Sequence, residues 1–270
     1  MLSTGPAAAA SAPEAVGLEW RLIRDHPGPG SRNMALDHAL ARCVAPGSGV
    51  VRLYGWERPT VSFGRNEPGA GLYSVRAARE RGIGYVRRPT GGRAVLHAGE
   101  LTYAVVAPVK ALGGARIAYC LINEALAAGL RSLGARVEVC AGGKALPPHA
   151  GPCFQSPTGG ELVVAGRKLV GSAQARIDGA LLQHGAIMLS GDQAFLAELS
   201  DGAGDHRAPA TLEELIGATR VEEVADAVTE KLQAVFGGSW SASEYSSAEI
   251  AEADRLEEER YARDSWTWRR

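Results

Sequence analysis

Short apolar segments of strand length dominate the first 190 residues of the chain. Most alternate apolar with polar side chains or form a brief apolar run, and turn residues separate them. We predict strands over residues 18–24, 50–56, 60–65, 83–88, 100–108, 136–140, 161–174 and 179–189. The strands over 50–56 and 60–65 flank a proline-containing turn. The segment 161–174, ELVVAGRKLVGSAQ, is predicted as a hairpin that turns at Ala165 and Gly166.

Apolar residues with helical spacing lie between these strands and dominate the chain after Asp192. The spacing predicts helices over residues 31–45, 73–82, 116–134, 193–200, 211–218, 223–237 and 247–262. Ser31 or Asn33 is expected to cap the first of them. In the helix over 116–134, six side chains are expected to face a sheet: Ile117, Cys120, Leu121, Leu126, Leu130 and Leu133.

This order of elements predicts the fold class and the domain organisation. Strands before residue 190 and helices after it indicate an α+β fold with a helical C-terminal portion from about residue 192. The sequence contains neither an internal repeat nor a domain-sized linker, so residues 18–270 are predicted to form a single domain. Residues 1–17, rich in alanine and proline, are predicted to be a disordered tail.

Charge and composition narrow the classes of function. A net charge of −1 argues against non-specific nucleic-acid binding. No apolar run approaches the roughly 20 residues of a membrane span, and the N-terminus lacks the pattern of a secretory signal. The four cysteines form no C-x-x-C pair, which argues against a zinc site or a disulfide scaffold and favours the reducing cytoplasm. A monomer is the default expectation.

The segment RRPTGGRAVLH, residues 87–97, is the first candidate for chemistry. Gly91 and Gly92 allow the backbone to approach a ligand closely. Three arginines supply fixed positive charge: Arg87, Arg88 and Arg93. The segment lacks the Gly-Lys-Ser/Thr of a P-loop and the G-x-G-x-x-G of a dinucleotide fingerprint. Taken alone, it fits a phosphate-binding loop or an arginine-rich turn between two strands.

Cys153 and Lys168 are the second candidate. Cys153 lies in an irregular stretch of twenty residues, AGGKALPPHAGPCFQSPTGG, and stretches of that length are often functional. The other cysteines, Cys43, Cys120 and Cys140, fall on apolar segments and are expected to be small core residues. Lys168 is one of only four lysines, and its ammonium could activate the thiol if the loop folds over the hairpin. On spacing alone, an exposed turn lysine beside Arg167 is the commoner interpretation.

Two histidines, His97 and His184, each follow an apolar run. Either could pair with Cys153 in a thiol hydrolase, although a histidine beside a strand is more often a hydrogen-bonded structural residue. No histidine pair has the helical spacing of metal ligands, so no metal site is predicted.

Two long motifs resemble one superfamily. RRPTGGRAVLH resembles the R-R-x-T/S-G-G-x-A-V-x-H box of the lipoate-protein ligase, octanoyltransferase and biotin ligase superfamily, and GRKLVGSAQAR resembles its lysine segment. NMALD and LQHGAIML are similar to flanking segments of these proteins. PCFQSPTGGELVV resembles the catalytic-cysteine segment of the LipM kind of protein octanoyltransferase, and Cys153 lies fifteen residues before Lys168, as expected there.

The resemblance implies a fold and a reaction. It implies the catalytic-domain fold of biotin and lipoate ligases, a central mixed sheet flanked by helices. Cys153 would be the nucleophile that takes the octanoyl group as a thioester, and Lys168 would activate it. Arg93 stands where ATP-using ligases have a third glycine, and transfer from a thioester needs no ATP. No cofactor is therefore expected.

The resemblance also implies the partners. The donor would be an octanoyl-acyl carrier protein that bears phosphopantetheine, and the acceptor a lipoyl domain, such as glycine cleavage H protein or the E2 subunit of a 2-oxoacid dehydrogenase. Both kinds of partner tend to be acidic, so Arg87, Arg88 and Arg93 are expected to contact a phosphate or an acidic helix. The other expected substrate-binding residues are Gly91, Gly92, His97, Gly171, Ser172, Ala173 and His184.

Three other functions remain open from the sequence. An ATP-dependent lipoate-protein ligase would use Arg88 and the glycines to hold an acyl-adenylate, with Lys168 on its phosphate. A non-catalytic module would bind a carrier protein without turnover. A thiol hydrolase would use Cys153 with His97 or His184.

Overall fold

The computed structural model describes residues 17–69, 73–140, 159–191, 193, 196 and 208–269. Its strands are β1 (Glu19–Arg24), β2 (Ser48–Tyr54), β3 (Thr60–Phe63), β4 (Gly84–Arg87), β5 (Val95–His97), β6 (Glu100–Pro108), β7 (Glu138–Val139), β8 (Leu162–Val164), β9 (Arg167–Ile177), β10 (Ala180–Met188) and β11 (Ser239–Ala242). Its helices are α1 (Gly30–Cys43), α2 (Val75–Glu80), α3 (Ala115–Ser132), α4 (Leu212–Ile216), α5 (Val221–Phe236), α6 (Ser247–Leu256) and α7 (Asp264–Thr267). A π-helical turn, Glu257–Tyr261, follows α6 directly.

The strands form a large mixed sheet and a small one. The large sheet has the order β11-β1-β2-β6-β10-β9-β8-β7, and the small one has the order β4-β3-β5. β11, β1 and β2 pair in parallel, whereas the pairs from β2 through β6, β10, β9 and β8 to β7 are antiparallel. The predicted α+β fold, with a central mixed sheet flanked by helices, is confirmed.

Helices cover both faces of the large sheet, because successive apolar side chains along its strands point to opposite faces. Along β6, Tyr103 and Val105 join a core with α3 and α5. Ala104 and Val106 point the other way and join a core with α1 and α6. This alternation is the two-residue period of a strand that is buried on both faces.

Helix α3 buries only part of the face that its larger apolar side chains predict. Leu126 and Leu130 are buried, whereas Ile117 is 45% exposed and Cys120 is also exposed. The buried face also contains small residues such as Ala118 and Ala125. At Gly129 an added Cβ would lie 2.8 Å from the Cα of Val228 in α5, so the two backbones meet where a side chain has no room. The expectation that Cys120 is a core residue was wrong.

The other helix and cysteine expectations met mixed outcomes. Helix α1 begins after Pro29, and neither Ser31 nor Asn33 caps it. The Asn33 amide instead donates to the carbonyls of Gly28 and Gly55. Cys43 and Cys140 are only partly buried.

The strands β2 and β3 follow one another in the chain but belong to different sheets. β2 lies inside the large sheet, whereas β3 is the central strand of the small one. β4 and β5 pair with opposite sides of β3. Residues 88–94, called the glycine loop below, connect these two outer strands, so the small sheet is the support of the loop.

The predicted hairpin between β8 and β9 is confirmed. Ala165 and Gly166 both have positive φ angles, 50° and 71°, as the tight turn of a two-residue hairpin requires. Val163 pairs with Lys168 across the hairpin, next to an irregularity in the β8 register at Leu162 and Val163. The turn therefore fixes where Lys168 lies on the sheet.

The C-terminal portion is mainly helical, with one strand that the sequence did not predict. β11 pairs in parallel with β1, and the indole ring of Trp240 stacks on Trp20 at a centroid distance of 5.2 Å. Within the described ranges, none of the helices has the length and apolar character needed to cross a membrane.

Candidate active site

The glycine loop, with β9 and β10 of the large sheet, lines a cavity of about 270 Å³, called the loop cavity below. This size suits a small organic group. The cavity brings together predicted site residues from distant parts of the chain: Arg88, Gly91, Gly92, Arg93, His97, Lys168, Gly171, Ser172, Ala173 and His184. Aromatic and aliphatic side chains complete its wall, among them Met34, Tyr54, Trp56 and Val95. Cys153 lies outside the described residues.

Arg87 does not line the loop cavity. It is fully buried, and its Nη1 donates to the carbonyl oxygens of Gly64 and Glu67, both at 2.6 Å. Its other nitrogens donate to carbonyls of the C-terminal segment, including that of Arg269 at 3.0 Å. This placement corrects the prediction that Arg87 contacts a carrier's phosphate, because its guanidinium ties the C-terminus to the small sheet.

Arg88 holds the glycine loop from within. Its guanidinium donates to the carbonyls of Ser62, Gly91 and Arg93 at 2.8 Å each. An added Cβ at Gly64 would lie 1.8 Å from the carbonyl oxygen of Gly92, so the loop lies directly against β3. Arg88 and Arg93 both line the cavity but are 5% and 4% exposed, which places them in its wall rather than on a basic rim.

Lys168 is buried and ion-paired. Its Nζ lies 2.8 Å from Oε2 of Glu161, and the two side chains are 1% and 4% exposed. Both residues line the loop cavity. This corrects the interpretation of Lys168 as an exposed turn lysine. A buried ammonium needs such a carboxylate partner. Glu161 was not predicted as a site residue, although it begins the predicted hairpin and lies within the motif PCFQSPTGGELVV.

A buried hydrogen-bond chain runs from Arg52 through Asp37 and His184 to the glycine loop. Arg52 Nη1 lies 2.7 Å from Asp37 Oδ1, and Asp37 Oδ2 lies 2.8 Å from His184 Nδ1. Nε2 of His184 is 2.6 Å from the hydroxyl of Thr90. Sequence analysis did not single out Asp37, Arg52 or Thr90. Asp37 and Thr90 lie within the motifs NMALD and RRPTGGRAVLH, but the motifs do not show which distant residues they contact.

Burial and charge set the protonation of this chain. Although burial alone raises the pKa of Asp37, the hydrogen bond from His184 and the charge of Arg52 lower it overall. Burial lowers the pKa of His184 and outweighs the opposite effect of Asp37. A neutral His184 beside an ionised Asp37 carries its proton on Nδ1, so Nε2 accepts from Thr90. His184 thereby holds the glycine loop.

A second histidine chain borders the same cavity. His97 Nδ1 is bonded to Glu100, and His97 Nε2 lies 2.7 Å from Ser62 Oγ. Glu100 also accepts from the Ala98 N–H at 3.1 Å and from the Thr102 hydroxyl at 3.0 Å. With Glu100 accepting at Nδ1, a neutral His97 presents Nε2 as the acceptor for the Ser62 hydroxyl. Ser62 and Glu100 were not predicted.

The wall beside His97 separates two cavities. The ring of Trp56 stacks on His97 at 3.9 Å, and its Nε1 donates to Thr102 at 2.8 Å. Both rings line the loop cavity on one side and a larger cavity of about 740 Å³, called the side cavity, on the other. Glu100 lines the side cavity, whereas Ser62 lines the loop cavity.

A third cavity of about 340 Å³ lies beside Pro89 at the start of the glycine loop. Four arginines line it: Arg42, Arg65, Arg176 and Arg260. Arg42 pairs with Asp178 and Glu252 at 3.1 and 2.8 Å. Arg65 and Arg176 are exposed, and within the described part of the chain neither forms an ion pair. This arginine pocket concentrates positive charge in a chain whose net charge is −1.

The described residues contain no group of three histidine, cysteine, aspartate or glutamate side chains that could hold a metal ion. Around the loop cavity the described residues provide a buried lysine–carboxylate pair and two histidine chains.

Comparison with known proteins gives the family. The sequence model of the lipoyl protein ligase A/B catalytic domain matches residues 29–233. The octanoyltransferase LipM of Kyrpidia tusciae is 37% identical over 272 residues, with coverage of 93% of this chain and 99% of its own. LipM of Symbiobacterium thermophilum is 38% identical, with coverage of 93% and 98%.

Solved structures share the fold. A lipoate-protein ligase A bound with ATP has a TM-score of 0.81 at 22% identity, with coverage of 93% of this chain and 99% of its own. A bipartite lipoate protein ligase from Thermoplasma acidophilum, studied with its E2 lipoyl domain, has a TM-score of 0.76 at 21% identity, with coverage of 93% and 96%. The predicted likeness to the lipoate ligase fold is confirmed.

Proposed function

Because this chain belongs to the lipoyl protein ligase A/B catalytic-domain family, among the LipM octanoyltransferases, it is an acyltransferase of lipoate biosynthesis, and we propose that it works through Cys153. In this proposal Cys153 takes the octanoyl group from a carrier protein and passes it to the lysine of a lipoyl domain. The observation that carries the mechanism is the buried Lys168–Glu161 pair in the wall of the loop cavity.

The first step forms an acyl-enzyme. A thiolate is the nucleophilic form of cysteine, and a nearby ammonium favours it. We assign that role to Lys168, whose position Glu161 fixes at 2.8 Å. The Cys153 sulfur attacks the carbonyl of the carrier's thioester, the C–S bond to the carrier breaks, and the carrier leaves as a thiol after taking up a proton.

The second step forms the amide. The amine of the acceptor lysine attacks the octanoyl thioester of Cys153, a C–N bond forms and the thiol is released. Exchange between thioesters is nearly balanced and amide formation is downhill, so ATP has no chemical task. Arg93 in the wall of the loop cavity, where ATP-using ligases have a glycine, supports a reaction without a nucleotide cofactor.

We also assign a docking surface for the donor. The buried Arg88 and Arg93 belong to the cavity wall, whereas the arginine pocket beside Pro89 presents the exposed Arg65 and Arg176. An acidic carrier protein with a phosphate-bearing arm fits this charge.

We assign the reaction to the cytoplasm, where free thiols persist.

Intact-mass measurements test the reaction. The protein is mixed with octanoyl-carrier protein and an apo lipoyl domain, without ATP. We expect an octanoyl adduct on the enzyme and transfer to the acceptor, and both should vanish in Cys153→Ala. Cys120→Ala is the matched control, because this thiol is exposed on α3 and should leave transfer unchanged. Product that requires ATP and free octanoate, and that persists in Cys153→Ala, would favour a ligase instead.

Charge reversal tests the docking surface. The double variant Arg65→Glu/Arg176→Glu should lower kcat/KM for the octanoyl-carrier protein by about tenfold at low salt, with a smaller loss at high salt. Arg136→Glu reverses an exposed charge away from the three cavities and is the control. Equal rates for the double variant and the control would exclude the arginine pocket as the donor's docking site.

A further inference from the structure

Amide formation poses a proton problem that the proposed function leaves open. The acceptor lysine arrives as an ammonium, because the ordinary pKa of lysine is about 10.4. At pH 7 only about one amine in 2,500 is neutral and able to attack. Either a group that lines the loop cavity removes a proton from the ammonium, or the reaction proceeds only through the rare neutral amine.

His184 is badly placed for this task. Although His184 itself lines the loop cavity, both of its ring nitrogens are engaged: Nδ1 is bonded to Asp37, and Nε2 faces the hydroxyl of Thr90. Thr90 does not line the loop cavity, so it cannot pass a proton from a substrate to His184. The Lys168–Glu161 pair is already assigned to the thiol of Cys153.

His97 has the arrangement that a base requires. Its Nε2 accepts from Ser62 Oγ at 2.7 Å, and Ser62 lines the loop cavity. Ser62 Oγ also accepts from Arg88 Nη1 at 3.0 Å, which leaves its second lone pair for an incoming donor. Glu100 is bonded to the opposite ring nitrogen of His97 and would stabilise an imidazolium.

We propose that Ser62 and His97 deprotonate the acceptor lysine and that Glu100 positions His97 for this step. The ammonium gives one proton to Ser62 Oγ while the Ser62 hydroxyl proton moves to His97 Nε2. The neutral nitrogen then attacks the octanoyl carbonyl, so that the C–N bond forms and the C–S bond to Cys153 breaks. The second amine proton goes to the Cys153 sulfur.

The proton on His97 has a path away from the reaction. His97 and Glu100 both line the side cavity, on the other side of the wall from the site of amide formation. His97, whose side chain is 9% exposed, can lose the proton toward that cavity without passing it back through the acyl pocket, and the Glu100 carboxylate holds the ring during this step. Two hydrogen bonds thus connect the loop cavity with the side cavity, through Ser62, His97 and Glu100.

The test separates proton removal from acyl transfer, and it depends on the proposed acyl-enzyme. Octanoyl-enzyme is isolated and mixed at neutral pH with either an apo lipoyl domain or hydroxylamine, a nucleophile already unprotonated there. Loss of the adduct mass gives both rates. Ser62→Ala and His97→Gln should slow lysine acylation by roughly 10²-fold and leave the hydroxylamine rate within about twofold. Glu100→Gln should show a smaller but equally selective loss.

Ser132→Ala is the matched control, because its hydroxyl donates to the carbonyl of Gly129 within α3 and Ser132 lines neither the loop cavity nor the side cavity. Equal slowing toward both nucleophiles would show that Ser62 and His97 only support the fold and would overturn the relay. Unchanged lysine acylation would overturn it as well. Absence of any adduct on the unmodified enzyme would overturn the proposed function itself, and the relay with it.

Discussion

Two histidines border the loop cavity with the same chemical neighbours and different access. His184 lies between the carboxylate of Asp37 and the hydroxyl of Thr90, and His97 lies between Glu100 and Ser62. In the His184 chain the hydroxyl is buried away from the cavity. In the His97 chain Ser62 is equally buried but lines the loop cavity, and His97 and Glu100 line the side cavity.

This difference teaches that a carboxylate–histidine–hydroxyl arrangement does not define a catalytic group by itself. Catalysis needs a path for the proton in and out, which the His97 chain has. A chain without such a path can still fix a loop, because its hydrogen bonds are made in a buried environment where leaving a partner unsatisfied is expensive. We therefore expect the two chains to respond differently to matching substitutions.

The two histidine chains should differ most in the loss of stability when the carboxylate of each is replaced by an amide. Asp37→Asn removes a charge that faces the buried Arg52 at 2.7 Å and the proton of His184, so it should lower the free energy of unfolding by about 3–5 kcal/mol. Glu100→Gln should lower it by about 1–2 kcal/mol, because the described partners of that carboxylate are His97, the Ala98 N–H and the Thr102 hydroxyl, without a buried arginine. Urea denaturation at pH 7 measures both.

Asp226→Asn is the control for this pair. Asp226 forms an exposed ion pair with Arg24 at 2.7 Å, and its removal should change the free energy of unfolding by less than about 1 kcal/mol. Equal losses for Asp37→Asn and Glu100→Gln would contradict the distinction between a structural and a catalytic carboxylate.

The next largest difference should appear in the reaction rates of the octanoyl-enzyme when the hydroxyl of each chain is removed. Thr90→Val keeps the shape of the side chain but leaves His184 Nε2 without a donor, at a cost of about 2 kcal/mol. Because the glycine loop shifts, lysine and hydroxylamine should react more slowly with the octanoyl-enzyme by the same factor. Ser62→Ala should slow only the lysine reaction. A selective effect in Thr90→Val would assign the proton relay to His184.

The fold could be predicted to the extent that it depends on local patterns. The hairpin at Ala165 and Gly166 and the strand β6 follow from turn chemistry and apolar runs. The separation of β2 and β3 into different sheets could not be predicted, because strand partners are chosen by long-range packing. The buried face of α3 was predicted only in part: Leu126 and Leu130 are buried, but close contact with α5 also selects small residues such as Gly129, which the apolar spacing does not reveal.

The site shows the same division. Lys168 and His97 could be identified from motifs, because motif residues sit close together in the sequence. The contacts between distant segments could not: Asp37 and His184 are 147 positions apart, and Ser62 and His97 are 35 apart. Asp37 lies in the motif segment NMALD, but the segment does not indicate that its carboxylate faces a buried arginine. Arg87 shows the converse, since a motif arginine proved to be a structural cross-link.

The smallest expected effect concerns a third buried histidine, His38, which has a tyrosine rather than a carboxylate as its partner. Burial and the charges of Arg260 and Arg42 lower the pKa of His38 to about 4. In the unfolded chain the pKa of His38 is about 6.5. Between that pH and about 4, the unfolded state therefore binds a proton that the folded state does not bind.

Stability should therefore fall as the pH drops from 6.5 toward 4, by about 1 kcal/mol from this group between pH 7.5 and pH 5.5. Glu252 and Asp178 oppose the shift, and the low pKa shows that they do not outweigh burial and the arginines. His38→Gln should remove this part of the pH dependence when urea unfolding is compared at the two pH values. An unchanged dependence would mean that His38 binds its proton in the folded state as readily as in the unfolded chain, and that burial here does not lower its pKa.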